Sequence, residues 1–254
     1  MAFTITVNNY SLTGAYIRVR RVLHDSTPEN YLSEGRITRR DRAKLVSTEY
    51  NPKKIVIEGI ILGDTQEALE DNIDTFKKNV YKSEVNLDIS YGTKTRRYVV
   101  TPTMITVERD NYNLRFAPFT LELMAINPAG LSTQSHTSVW TNVDAGTWTS
   151  NMYFTGTMYP EPVTTIRVLQ ATMFSAIQMR NTYRNDTITV DGLFSANDVI
   201  VIDHSQRKVT RNTVARDYSG VFPQFQTGDN TIYFTLEAGA WLVDIEIAFT
   251  PRWL

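Results

Sequence analysis

The sequence predicts a mainly β protein of two domains, in which the first domain carries one helix and the second consists of strands. Apolar and polar residues alternate over many short segments, the pattern of strands that bury one face. Residues 64–81 have helical spacing instead. The charge also changes near the middle, because residues 1–130 hold 18 Lys and Arg against 16 Asp and Glu, and residues 131–254 hold 8 against 11.

The first domain should place strands around its helix. Phe3, Ile5 and Val7 alternate with polar residues, and Tyr16 to Leu23 form a second candidate strand that arginines interrupt. The run from Ile55 to Leu62 is apolar enough to be buried on both faces or nearly so. Three further strands are expected at residues 85–91, 97–107 and 114–125.

The helix is expected to begin at an N-cap and to bury one face. Asp64 is the predicted N-cap, and Glu67 three positions later completes a capping-box pattern. Acidic residues come early and lysines late, which suits the helix dipole. Helical spacing places four apolar residues on one face: Leu69, Ile73, Phe76 and Val80.

A turn at Asn127-Pro128-Ala129-Gly130 predicts the domain boundary. The sequence therefore indicates a first domain over residues 1–130 and a second over 131–254, with residues 131–139 as a linker. Turns are expected at Arg184-Asn185 and Asp191-Gly192, and this spacing is typical of a β-sandwich or jelly roll. The candidate strands of the second domain are residues 165–169, 176–183, 187–190, 199–203, 208–211, 231–236 and 241–249.

Composition and motifs argue against an enzyme. The chain has no cysteine, a net charge of −1 and no apolar run long enough for a membrane helix, and its N-terminus shows no signal-peptide pattern. His24, His136 and His204 have no metal-ligand spacing. Asp203-His204-Ser205 has the letters of a catalytic triad, but neighbours on a strand point to opposite faces, which favours a strand end entering a turn. We expect no catalytic residue, cofactor or metal, no sequence-specific nucleic-acid binding and no membrane insertion.

Two residue clusters remain as candidate interaction sites. The basic one is a loop that docks on an acidic partner or else a solvated hairpin with Glu34, Asp41 and Glu49 as local partners. It consists of Arg36, Arg39, Arg40, Arg42 and Lys44. The aromatic one forms either a core plus an interdomain or intersubunit seam, which we favour, or a sugar-stacking surface. It consists of Trp140, Trp148, Tyr153, Phe154 and Tyr159.

Four segments, in this order, resemble the distal tail protein family of siphophages. The first two are a strand–helix unit and the last strand of the first domain. The other two are a strand pair and a Pro-aromatic turn before a strand. They are Lys54–Gly63 (KIVIEGIILG) with the helix after it, Phe119–Pro128 (FTLELMAINP), Asn197–Asp203 (NDVIVID) with Arg207–Thr210 (RKVT), and Phe222–Phe225 (FPQF) with Thr227–Ile232 (TGDNTI).

The resemblance implies a split β-barrel with one helix, related to tail-tube proteins, followed by a galectin-like β-sandwich. It implies a homohexameric ring at the tail tip that joins the tail tube protein to the tail-tip hub protein and leaves a channel for DNA. Such a protein would be assembled in the host cytoplasm and located in the virion, with receptor-binding proteins or host glycans as further partners. The alternative functions are a carbohydrate-binding adhesion module and, less favoured, a cell-wall hydrolase.

Overall fold

The computed structural model describes residues 3–24, 26, 30–36, 43–109, 115–144, 146–171, 174–237 and 241–254. The chain divides into two units, Met1–Leu131 with Leu254, and Ser132–Trp253. The first unit contains helix α1 (Gln66–Val80) and the strands β1 (Phe3–Val7), β2 (Tyr10–Ser11), β3 (Ile17–Leu23), β4 (Asn30–Arg36), β5 (Ala43–Tyr50), β6 (Lys53–Leu62), β7 (Val85–Tyr91), β8 (Lys94–Val107), β9 (Phe116–Ala125) and β10 (Gly130–Ser132), the last of which reaches one residue into the second unit.

The first unit is built on a sheet with the strand order β2-β1-β7-β8-β9-β6-β3. All of these neighbours are antiparallel. Strands β4 and β5 pair with each other as a separate two-stranded sheet. Helix α1 packs its apolar face on the main sheet, where the Phe76 and Phe119 rings lie 4.7 Å apart. The four helix residues predicted to face inward are all buried.

Strand β6 lies between β9 and β3 and buries one face, not both. Ile55, Ile57 and Ile61 are fully buried, whereas Val56 and Ile60 on the other face are only partly covered. The sequence predicted burial on both faces or nearly so; full burial holds for the face toward the core, and the other face is only partly covered. Gly59 lies on the buried face, where a Cβ would come within 2.6 Å of the Arg18 carbonyl oxygen and 2.7 Å of the Phe119 ring.

The N-cap of α1 is Thr65, one residue later than predicted. The Thr65 hydroxyl accepts a hydrogen bond from the Ala68 backbone N–H at 3.1 Å. Because the N3 position is then Ala68 and not Glu67, the helix has an N-cap without the predicted capping box. Either Asp64 or Thr65 can serve as a cap by residue type, and Thr65 has the extended backbone that a cap needs, with φ −130° and ψ 169°.

The second unit is a β-sandwich of two antiparallel sheets, with the strand orders β11-β21-β13-β16-β17-β18 and β12-β20-β14-β15-β19. Buried side chains from both sheets form one core, as in other sandwiches. Its strands are β11 (His136–Val143), β12 (Thr147–Phe154), β13 (Val163–Ala171), β14 (Phe174–Asn181), β15 (Thr187–Phe194), β16 (Val199–Asp203), β17 (Lys208–Arg211), β18 (Val214–Ala215), β19 (Ser219–Gly220), β20 (Gly228–Glu237) and β21 (Trp241–Phe249). The short strand β22 (Arg252–Trp253) belongs to neither of these two sheets.

Two expectations for the second unit are wrong. Strands β10 and β11 occupy most of the segment 131–139 that the sequence suggested as a linker. Asp191-Gly192 is not a turn, because β15 continues through it and its register against β14 shifts there. Gly192 has a φ of +150° at this irregularity, so the glycine marks a bulge within a strand. The mainly β fold with one helix in the described chain is confirmed.

Candidate functional site

The three histidines have separate structural surroundings. His24 is fully buried in the first unit, with its Nε2 2.7 Å from the Tyr91 hydroxyl. His136 stacks on Phe249, and the Nδ1 of His204 lies 2.9 Å from the Pro162 carbonyl oxygen. Burial lowers the pKa of His204 to about 4, so its imidazole is neutral at neutral pH. Within the described residues, no group of three or more His, Cys, Asp or Glu side chains is arranged to hold a metal ion.

The Asp203-His204-Ser205 segment forms the start of a turn. The Asp203 carboxylate accepts hydrogen bonds from the Ser205 backbone N–H at 2.9 Å, the Ser205 hydroxyl at 2.7 Å and the Gln206 backbone N–H at 3.0 Å. Burial opposes ionisation of Asp203, but these hydrogen bonds outweigh it and lower the pKa of the carboxyl. Asp203 therefore stabilises a turn and does not orient the imidazole of His204, which packs against Phe222 and Phe225.

Asp198 is the centre of a buried polar cluster that the sequence did not indicate. It is 6% exposed and accepts hydrogen bonds from Arg211 at 2.5 Å, Asn212 at 2.7 Å and the Ser195 backbone N–H at 2.7 Å. Burial opposes its ionisation, but the hydrogen bonds from Arg211, Ser195 and Asn212 outweigh burial and lower the pKa of Asp198. The cluster joins the loop before β16 to the end of β17.

A second polar cluster holds the turn before β20. The buried Asn230 side chain accepts a hydrogen bond from the Gln226 backbone N–H at 3.0 Å and donates to the Gln226 and Gly228 carbonyl oxygens at 2.8 and 3.0 Å. The amide of Asn181 donates to the Asn230 side-chain oxygen at 3.1 Å and to the Gln224 carbonyl oxygen at 2.6 Å. Asn230 therefore has a structural role that requires both a donor and an acceptor.

The basic segment that the sequence singled out lies only partly within the described residues. Arg36 ends β4, opposite Ala43, and Lys44 lies on β5, opposite Gly35. Arg39, Arg40 and Arg42 lie outside the described residues, as does Asp41, one of their expected local partners. The paired backbone shows that Arg36 and Lys44 belong to the two strands of one hairpin. An interface role for this segment stays a prediction.

The aromatic residues of the second unit divide into a core and a surface group. Phe154 is 1% exposed, and its ring contacts Phe225 and Phe249 at 5.3 and 4.6 Å. Tyr153 and Tyr159, by contrast, are 65% and 54% exposed. The predicted aromatic core is thus present for Phe154, and the two tyrosines are not part of it.

Trp140 and Trp148 form an edge-to-face pair with ring centroids 4.8 Å apart. Trp140 lies on β11 and Trp148 on β12, the edge strands of the two sheets, and both rings are partly buried against the core. They border a shallow surface depression with polar groups at its rim. Its lining residues are Val139, Trp140, Thr141, Asn142, Val143, Asp144 and Trp148.

No helix in the described part of the chain is long and apolar enough to cross a lipid bilayer. Strands dominate both units. The charged side chains described above, Asp198, Arg211 and Asp203, form hydrogen bonds that stabilise turns and strand ends.

The second unit and the fold of the chain are similar to known components of phage tails. Residues 155–253 match the family model described as the C-terminal domain of siphovirus-type tail components. The fold of the whole chain is similar to the crystal structure of Dit (gp 19.1) of phage SPP1, described as a paradigm of hub adsorption apparatus in phages that infect Gram-positive hosts. The TM-score is 0.70, the identity is 16%, and the match covers 100% of both chains.

Chains of the phage P2 baseplate in its activated conformation with Ca and with Sr are more distant. Both have a TM-score of 0.47 and cover 98% of each chain, at 10% and 8% identity. No curated protein matches the sequence. The family match and the shared fold confirm the resemblance to siphophage distal tail proteins that the sequence predicted.

Proposed function

We propose, on the premise that residues 155–253 belong to the C-terminal domain family of siphovirus-type tail components, that this chain is a structural distal tail protein and not an enzyme. The observation that carries the proposal is this family match, together with a fold shared over the full length of SPP1 Dit. The polar side chains of the second unit support it, since Asp198, Asp203 and Asn230 are committed to turns and strand ends.

The finer part of the proposal is a homohexameric ring at the tail tip of the virion. The first unit closes the ring around a channel for DNA, and the second unit projects outward. One face of the ring joins the tail tube protein and the other joins the tail-tip hub protein. A closed ring is built from head-to-tail contacts, so each subunit must present two different and complementary patches.

Imaging the purified chain tests this proposal. Light scattering and negative-stain microscopy should give a six-fold ring with a central hole, either from the chain alone or after mixing with the tail tube and hub proteins. A strict monomer at high concentration, both alone and with those partners, would overturn the ring.

The basic segment of residues 36–44 is proposed as one ring or partner contact. Reversing the charges of Arg39 and Arg40 should weaken assembly, and the effect should shrink as salt screens the charges. Equal assembly of the variant and the unchanged chain at low and high salt would remove this segment from the interface and leave the ring itself in place.

The depression beside Trp140 and Trp148 favours a second function, binding of host cell-wall polysaccharide. Partly exposed indole rings beside polar side chains suit stacking on a sugar ring with hydrogen bonds at its edge. Titration of the full chain with host polysaccharide should show binding that Trp140→Ala weakens and that Tyr153→Ala, on a different part of the unit, leaves unchanged. If the unchanged chain does not bind the polysaccharide, the sugar-binding function is rejected and the sandwich keeps only its structural role.

A further inference from the structure

Strand β3 ends the main sheet of the first unit and carries three exposed arginines. Arg18 pairs with Ile60 of β6 and Arg21 pairs with Glu58, so Arg20 is an extra residue opposite no partner. This bulge places Arg18 and Arg21 on the same face although they are three residues apart, because their partners on β6 are two apart. Along β6 the two arginines are therefore separated by about 7 Å.

These guanidinium groups have no ion-pair partner within the described part of the chain. Salt bridges are formed there by Lys54, Arg97, Arg109, Arg211 and Arg252, and none of them involves an arginine of β3. Three neighbouring positive charges repel one another and raise the local potential, which favours association with a negative surface. We call Arg18, Arg20 and Arg21 the arginine edge.

Helix α1 presents a matching row of carboxylates. Glu67, Asp71 and Asp74 are exposed and occupy positions i, i+4 and i+7, so they share one face of the helix. With a rise of about 1.5 Å per residue, neighbouring members are about 6 and 4.5 Å apart along the helix. Glu70 is excluded from this row, which we call the acidic row, because it already pairs with Arg109.

We propose that the arginine edge of one copy of this chain binds the acidic row of the next copy. The two rows have opposite charge, equal numbers of groups and similar length, and no ion pair within the described residues occupies either of them. An arginine side chain is long enough to absorb the remaining mismatch in spacing. Because the two rows differ, the contact between subunits is head-to-tail. An open oligomer therefore has one unpaired row on each terminal subunit, and both rows are paired only when the oligomer closes into a ring.

This inference rests on the proposed ring and specifies its contacts. The test compares three variants of the full chain by mass photometry and light scattering, with far-UV circular dichroism to show that each is folded. The first reverses the arginine edge (R18E, R20E, R21E), the second reverses the acidic row (E67K, D71K, D74K), and the third combines both sets. A matched control makes the same charge change at exposed arginines of the second unit (R184E, R207E, R216E).

Each reversal alone should weaken self-association by about 100-fold, on the basis of about fivefold for each of three charge pairs. The combined variant should recover assembly, because its two rows are complementary again, and the control should assemble like the unchanged chain. The inference is overturned if the unchanged chain assembles and the arginine-edge variant and the acidic-row variant each assemble equally well. In that case the arginines only protect an exposed sheet edge from pairing with other strands. If the unchanged chain never assembles, the ring proposal fails instead. Should a triple variant misfold, the single change Arg20→Glu at the unpaired bulge position replaces it.

Discussion

Replacing Asp198 by Ala removes the acceptor at the centre of the polar cluster between the loop before β16 and the end of β17. The Asp198 side chain accepts three hydrogen bonds, from Ser195, Arg211 and Asn212, at 2.5 to 2.7 Å. Alanine at this position leaves three donors without their acceptor, and one of them is a cation whose side chain is only 20% exposed. The second unit should therefore lose stability.

The expected loss is about 3 kcal/mol in the free energy of unfolding. A hydrogen bond to a charged group contributes about 1.5–3 kcal/mol, and removing one partner of a buried ion pair costs about 3–5 kcal/mol. The lower part of that range applies here because Arg211 and Asn212 can turn toward water. For a unit of this size the loss corresponds to a melting temperature lower by about 10 °C.

Tryptophan fluorescence measures this unit separately. The four tryptophans of the chain, Trp140, Trp148, Trp241 and Trp253, all lie within Ser132–Trp253. Urea or thermal unfolding followed at the indole emission therefore reports the second unit even if the first unfolds at a different point. Asp217→Ala is the matched control, because this exposed carboxylate has no hydrogen bond or ion pair within the described residues.

The dependence on pH provides a second check. The pKa of Asp198 is lowered in the folded chain, so its contribution is complete above its unfolded pKa of about 3.9 and is lost as the pH falls through the folded value. The stability difference between the unchanged chain and Asp198→Ala should be largest near pH 7 and shrink below pH 4. A difference under about 0.5 kcal/mol at pH 7, or one that does not shrink in acid, would refute the reasoning.

Three further perturbations have defined outcomes. Gly59→Ala should destabilise the first unit by about 1–3 kcal/mol in amide hydrogen exchange, since the new methyl group meets the Phe119 ring. Thr65→Ala should lower the free energy of unfolding by about 1 kcal/mol, measured by denaturant unfolding followed by circular dichroism. Asp64→Ala should lower it by less, and the opposite order would show that Asp64 is the N-cap. His204 has a pKa of about 4 when folded against 6.5 normally, so the stability of the second unit should fall by up to about 3 kcal/mol between pH 6.5 and 4, and His204→Gln should remove that slope.

The sequence predicts best those elements whose signal is local and periodic. Strand β7 over Val85–Tyr91, strand β16 over Val199–Asp203 and strand β21 over Trp241–Phe249 have the predicted bounds. Strand β7 and most of β21 alternate apolar and polar residues, whereas β16 is a short apolar run that ends at Asp203. The buried helix residues follow from spacing alone for the same reason. Strands β11 and β12 were not predicted, because as edge strands rich in Thr, Ser and Asn they bury few side chains and lack a clear alternation.

The polar clusters could not be predicted, because their members are distant in sequence. Asp198 meets Arg211 thirteen residues later, and Asn181 meets Asn230 across two neighbouring strands. Nothing in a local window distinguishes these residues from polar residues on a solvent-facing surface. The Pro-aromatic turn and Asn230 at the start of β20 enter the sequence analysis only as part of a family resemblance. The structure supplies their physical reason, because the Asn230 side chain both accepts and donates hydrogen bonds.

The bulge in β3 also affects how this strand can change in length. A regular strand has a side-chain period of two, so one inserted or deleted residue exchanges the inner and outer faces of everything beyond it. Arg20 is opposite no residue of β6, and Ile17 and Val22 keep their inward positions on either side of it. Deleting Arg20 would therefore restore plain alternation without moving a core residue outward. At this one position the strand can gain or lose a residue, and with it a charge, while the hydrophobic core of the unit stays unchanged.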